Sequence, residues 1–136
     1  MAVTEINVAA SGGGNIPCMA AFPGGGPATA VVAVPSIFGV NDDMAMVAER
    51  LAGEGYIAVI PDPFWRDEDS GVIGHDEAGR ARAFARMGRT PFDQAFGDVA
   101  DVIDNLRARD DCNGKVAVMG FCYGGPFALV AAAKCG

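Results

Sequence analysis

The chain has 136 residues, 51% of them hydrophobic, with 19 glycines and a formal charge of −7, which is enough for one domain around one core. The acidic balance, without any Lys/Arg cluster, excludes a phosphate footprint for nucleic acid or an anionic membrane surface. No apolar run approaches the ~20 residues that span a bilayer, and Glu5 interrupts an N-terminus that lacks a basic segment, which argues against a signal peptide.

Residues 3 to 8 alternate weakly, as a first strand would, and Gly12, Gly13 and Gly14 turn the chain into Asn15–Phe22, its expected hairpin partner. Gly24 to Gly26 with Pro27 mark a second turn. Neither glycine triplet is followed by Lys-Ser/Thr, so both read as turns rather than phosphate cradles. Thr29–Val34 is a continuous apolar run, as a parallel strand covered on both faces should be. Asn41, Asp42 and Asp43 supply a helix cap and an acidic first turn. Met44, Val47, Ala48 and Leu51 then recur at helical spacing until Gly53 and Gly55. Tyr56–Ile60 is a further buried strand, ended by Pro61. Asp62 to Gly79 reads as a long polar loop, and Ala81–Met87 as a short helix. Thr90-Pro91-Phe92-Asp93 starts another helix, with Thr90 as cap and Pro91 at the first helical position. Its apolar stripe is Val99, Val102, Ile103 and Leu106, and Asp111 to Gly114 turns into the next strand. The strand–helix rhythm predicts an α/β fold, a doubly wound and mostly parallel sheet covered by helices.

Residues 115 to 129 (Lys-Val-Ala-Val-Met-Gly-Phe-Cys-Tyr-Gly-Gly-Pro-Phe-Ala-Leu) carry the strongest chemical signal. An apolar run stops at Gly120, Cys122 follows, and two glycines open an alanine-rich segment. This Gly-x-Cys-x-Gly is the cysteine version of the Gly-x-Ser-x-Gly nucleophile elbow, a strained strand-to-helix turn that lifts the nucleophile clear of the sheet. A Cβ at Gly120 or Gly124 would collide with backbone where helix and strand cross. Cys122 would stand at the positive end of the following helix, which favours thiolate. Pro126 fits the first helical turn. A dinucleotide fingerprint would need glycine in place of Cys122. A metal site is not expected, because Cys18, Cys112, Cys122 and Cys135 contain no Cys-x-x-Cys pair and the chain has one histidine. The plain alternative is a buried structural cysteine at a strand end. Four scattered cysteines also fit a reducing compartment, so a cytoplasmic protein is expected.

Three segments together resemble the dienelactone hydrolase family of α/β-hydrolases: Ser36-Ile37-Phe38-Gly39-Val40-Asn41, Gly55-Tyr56-Ile57-Ala58-Val59-Ile60-Pro61-Asp62, and Gly120-Phe121-Cys122-Tyr123-Gly124-Gly125. The likeness runs over nearly the whole chain and is most specific in the last segment. It implies a hydrolase of carboxylic esters or lactones, acting on a small-molecule substrate without a cofactor. Cys122 would be the nucleophile, and the backbone N–H groups of Ile37 and Tyr123 the oxyanion hole. The family's glutamate before Ile-Phe-Gly is Ser36 here, which cannot accept a proton at neutral pH, so thiol activation by that route should be weaker. The preferred substrates of the family carry a carboxylate, which makes Arg80 and Arg82 candidate clamps and Ser36 a further substrate contact.

In this fold the acid and histidine follow the nucleophile, whereas the sequence stops fourteen residues after Cys122. The resemblance therefore implies that residues 1–136 are the N-terminal part of a single α/β-hydrolase domain, incomplete on the C-terminal side and weak or inactive alone. His75, beside Asp76 and Glu77, is expected to be a solvated loop histidine rather than a replacement base. The competing reading is a non-catalytic, incomplete α/β module that associates with itself or a partner chain through an uncovered sheet edge. A flavodoxin-like nucleotide binder would need a phosphate loop where Val34-Pro35-Ser36-Ile37-Phe38-Gly39 stands, and that segment makes a poor one.

Overall fold

The structure is a computed structural model that describes residues 2–135. Five strands form one sheet in the order β1-β2-β4-β3-β5. They are β1 (Thr4–Ala9), β2 (Asn15–Ala21), β3 (Ala28–Val34), β4 (Ile57–Pro61) and β5 (Cys112–Gly120). β1 and β2 form the expected antiparallel hairpin, and β2 pairs antiparallel with β4. β3 lies between β4 and β5 and is parallel to both. Among the described strands, β2 alone runs against the others.

The buried strands are those whose sequences are continuously apolar. All five residues of β4 are buried, and Ala30, Val32, Ala33 and Val34 of β3 have no exposed surface. Successive side chains point to opposite faces, so each such strand feeds two cores. On one face Val32, Val34, Ile57 and Val59 pack with Val99, Val102, Ile103 and Leu106 of α3 (Phe92–Arg107) and Phe127 of α4 (Gly125–Lys134). On the other, Ala33, Ala58 and Ile60 pack with Met44, Ala48 and Ala52 of α1 (Asp42–Gly53). Helices on both faces make the sheet doubly wound, as the sequence rhythm predicts. No helix among the described residues is long and apolar enough to cross a membrane.

Most boundaries follow local chemistry. Asn41 caps α1 by accepting the Met44 N–H at 3.2 Å, behind an acidic first turn. Three expectations require correction. The strand expected at Tyr56–Ile60 is β4, Ile57–Pro61: Tyr56 lies before it and Pro61 is its last residue, opposite Cys18; the next N–H, from Asp62, donates to Pro17 O at 3.0 Å. The short helix expected at Ala81–Met87 is α2 (Glu77–Arg89), because Asp76 caps it by accepting the Gly79 N–H at 2.6 Å. Thr90 does not cap α3. Its hydroxyl donates to Arg86 O at 2.8 Å and closes α2, leaving Pro91 as the residue before α3 with no side-chain cap.

The segment between β4 and α2 is polar in sequence but not merely solvated. Phe64 and Ile73, each 1% exposed, anchor it into a small cluster with Ile37 and Ala83 beside the C-terminal end of the sheet. That end is where an open α/β sheet presents its functional loops.

Candidate active site

β3 and β5 end in register, with Val34 opposite Gly120, so the loops that follow them leave the sheet side by side. After β5 the chain makes a single 3₁₀ turn, Cys122–Gly124, and enters α4. Cys122 has φ 57°, the one positive φ at a non-glycine position among the described residues, and its side chain is exposed. That conformation costs an L-residue about 1–2 kcal/mol.

Its neighbours hold it there. The Phe121 N–H donates to Val34 O at 3.0 Å, and the Gly124 N–H donates to Phe121 O at 3.0 Å. A Cβ on Gly120 would overlap the Gly124 carbonyl, and one on Gly124 would overlap the Val34 carbonyl. Both glycines are therefore required by backbone-to-backbone approach, as the sequence pattern predicts. Tyr123 turns its ring inward, with centroids 5.2 Å from those of Phe64 and Phe127. Its hydroxyl is buried without a hydrogen-bond partner among the described residues, and burial raises its pKa. With the ring anchored inside, Tyr123 faces the elbow through its backbone.

The loop after β3 can be accounted for peptide by peptide. Ser36 O accepts the Gly39 N–H at 3.1 Å, and Ser36 Oγ accepts the Phe38 N–H at 3.3 Å. Ile37 O accepts from Arg86, through Nη2 at 2.6 Å and Nε at 3.2 Å. Of the four polar groups in the two peptides around Ile37, the Ile37 N–H alone has no protein acceptor among the described residues. The Tyr123 N–H is likewise unaccepted, as the first N–H groups of a helix are. Two free backbone donors thus stand on neighbouring loops, one of them on the residue that follows the exposed thiol.

The other sequence-derived candidates are less concentrated. Ser36 serves the turn just described, and among the described residues neither its hydroxyl nor any other group hydrogen-bonds the Cys122 thiol. Arg80 is exposed on α2 with no side-chain partner among the described residues. Arg82 is held by both oxygens of Asp69, at 3.0 and 2.6 Å, a solvent-facing pair. His75 is exposed, and its ring lies against that of Phe38 with centroids 4.0 Å apart. No group of three or more His, Cys, Asp or Glu side chains among the described residues is arranged to hold a metal.

A family model, "Dienelactone hydrolase family", matches residues 16–136. The chain belongs to the dienelactone hydrolase family. A carboxymethylenebutenolidase of Pseudomonas sp. (strain P51) is 31% identical over 135 residues, covering 98% of this chain and 57% of that protein. A solved dienelactone hydrolase-type structure from Klebsiella pneumoniae superposes with a TM-score of 0.82 at 28% identity, covering 97% of this chain and 54% of that one. The dienelactone hydrolase-like promiscuous phosphotriesterase P91, from metagenomic libraries, gives 0.68 at 28% identity over 95% of this chain and 53% of its own. The chain thus spans about half the length of the relatives it matches.

Sequence reasoning missed Arg86 in this dienelactone hydrolase family chain, although a signal was present. Arg82, Arg86 and Arg89 fall at spacings of four and three, one face of α2. That face closes on the loop before it. Arg82 binds Asp69, Arg89 binds both oxygens of Asp67, and Arg86, with no exposed surface, donates to the carbonyls of Ile37, Asp69 and Gly71. The Arg89 hydrogen bonds, ahead of all other influences, bring the Asp67 carboxyl down to about 2.

Proposed function

We propose that the chain carries the nucleophile half of a dienelactone-hydrolase-like hydrolase of carboxylic esters or lactones, residues 1–136 being the N-terminal part of a single α/β-hydrolase domain. The observation that carries this reading is Cys122: a strained φ of 57°, an exposed thiol, and a position between two glycines that tolerate no Cβ. Its relatives named carboxymethylenebutenolidase support the reaction class. The substrate is a small ester or lactone met in the cytoplasm, where the free thiols of the chain would stay reduced.

In the proposed reaction the Cys122 thiolate, its proton released to solvent, attacks the acyl carbon and forms an S–C bond. The carbonyl π pair moves onto oxygen, and the N–H groups of Ile37 and Tyr123 hold that oxyanion. Collapse restores C=O, breaks the acyl C–O bond and expels the alkoxide, leaving a thioester. Water then cleaves the thioester to acid and free thiol. That second step needs a general base. The only histidine in the sequence, His75, has its ring engaged on Phe38, so deacylation by this chain is slow. Arg80, exposed and free of a side-chain partner among the described residues, is the arm proposed for a substrate carboxylate. Arg82 would first have to leave Asp69. Ser36 is a weaker candidate, its hydroxyl being taken by the turn.

The test is the reaction of the 136-residue chain with p-nitrophenyl acetate. The expected result is release of about one equivalent of p-nitrophenolate followed by stalling, abolished by Cys122→Ala and kept by His75→Ala. A burst that persists in Cys122→Ala would sink the reading.

A second reading, an α/β module completed by another copy or a partner chain, is favoured by one feature. Among the described residues β5 pairs on one side only, and Met119 of β5 and Leu129 of α4 are exposed, Leu129 at 75%. Concentration-dependent sedimentation together with an inert Cys122 would favour it over catalysis.

A further inference from the structure

The guanidinium of Arg86 is fully buried, bonds no carboxylate among the described residues, and spends its donors on three backbone carbonyls: Ile37 (2.6 and 3.2 Å), Gly71 (2.6 Å) and Asp69 (3.0 Å). It also stacks over Phe64 at 4.4 Å. Burying a cation is unfavourable unless every donor is met, and arginine stays charged at any ordinary pH. Burial lowers its pKa, while Asp62, Asp69 and Asp67 nearby pull the other way. A side chain placed at such cost to hold loop carbonyls is not accounted for by helix packing, which an aliphatic residue would serve better.

What it holds is the peptide next to a proposed oxyanion donor. A trans peptide points its C=O and N–H in opposite directions. The Ser36–Ile37 peptide has its C=O fixed on the Gly39 N–H, so its N–H, that of Ile37, is aimed away from the turn. The following peptide has its N–H on Ser36 Oγ and its C=O on Arg86. Release of Ile37 O would free that second peptide to rotate about Ile37 and carry the first with it. The turn is tight on the same side: Gly39 has φ 92°, and a Cβ there would sit 2.8 Å from Gly71 O and 3.1 Å from Arg86 Nη2. The loop of Asp69 and Gly71 is thus clamped to the turn through one guanidinium.

We infer that Arg86 is a positioning residue that aims the Ile37 N–H into the oxyanion hole, acting through the Ile37 carbonyl rather than by touching substrate. This rests on the reading of Cys122 as an acyl acceptor and of Ile37 as an oxyanion donor. The consequence is selective. Acylation by an ester passes through a tetrahedral oxyanion and needs the hole, whereas alkylation by iodoacetamide is a direct displacement at carbon and does not. Removal of an oxyanion donor costs about 10²–10³ in rate; misaiming one should cost less, roughly 10- to 100-fold.

The experiment compares wild type, Arg86→Met and Arg86→Lys of the 136-residue chain, each checked for folding by circular dichroism. Burst rates with p-nitrophenyl acetate are set against alkylation rates of Cys122 with iodoacetamide. The expected result is a roughly 10- to 100-fold fall in the acylation-to-alkylation ratio for Arg86→Met, partly restored in Arg86→Lys, which keeps the charge but reaches fewer carbonyls. A wild-type burst matched in ratio by both variants overturns the inference alone. A wild type without a burst overturns the acyl-transfer reading and this inference with it. Loss of the folded state in both variants also overturns it, because Arg86 would then be a folding residue and not an aiming one.

Discussion

Cys18 and Cys122 are the same side chain placed in opposite surroundings. Cys18 lies in mid-strand on β2, 1% exposed, its sulfur 3.5 Å from Ile16 O, and burial, aided by the Asp62 charge, pushes its thiol up to about 12. Cys122 is exposed on a turn at φ 57° that only its two glycine neighbours make sterically possible. Residue type therefore says little about a cysteine's surroundings; its place in the fold decides whether the sulfur is packed away as a small hydrophobe or presented to solvent on a strained turn.

The largest expected effect tests that contrast directly. At pH 8 a thiol of pKa about 12 is thiolate to only about 1 part in 10⁴. Iodoacetamide should therefore label Cys122 at least about 10³-fold faster than Cys18, as read by peptide mass mapping. Comparable rates would erase the distinction. The next effect addresses the elbow alone. Gly124→Ala forces a Cβ into the Val34 carbonyl and should cost several kcal/mol, roughly 3–5, in urea unfolding. Gly125→Ala, with helical φ −55° and open space for a Cβ, should change stability by less than about 1 kcal/mol. Equal losses at the two positions would mean that close approach is not what the elbow glycines provide.

The smallest effect addresses the buried sulfur. Its folded pKa is raised above the ordinary value of 9.0, so its contribution is fully present below pH 9 and is lost as pH rises towards 12. Above pH 9 the unfolded chain has given up this proton and the folded chain has not. Stability should then fall about 1.4 kcal/mol more steeply per pH unit than in Cys18→Ala. Parallel alkaline slopes for wild type and Cys18→Ala would show that Cys18 is not held as the thiol.

Much of the fold was legible because its causes are local. Thr29-Ala-Val-Val-Ala-Val34 has no polar face and so lies inside the sheet between two other strands, and the spacing of Val99, Val102, Ile103 and Leu106 predicts the buried stripe of α3. Asn41 before two aspartates predicts a cap, and the structure supplies its bond to Met44. Thr90 misled for an equally physical reason. Thr-Pro-Phe-Asp is a sound helix start, yet the Thr90 hydroxyl is turned back to donate to Arg86 O at the end of α2, and α3 begins after Pro91 without a side-chain cap. The segment after β4 misled by composition, since its charges outnumber the two apolar anchors, Phe64 and Ile73, that bury it.

At the candidate site the division is sharper. Gly-Phe-Cys-Tyr-Gly pointed by itself to a cysteine on a strained corner, and the exclusion of a Cβ at Gly120 by the Gly124 carbonyl is local to those five residues, whereas the exclusion at Gly124 comes from Val34 of the neighbouring strand. Which loop would lie beside that corner, and which side chain would hold the loop, was decided only by the tertiary structure. Arg86 is 49 residues from Ile37, and in sequence it is one arginine among several on a charged helix. It becomes a buried clamp because folding strands three loop carbonyls away from water, and the nearest multivalent donor must satisfy them.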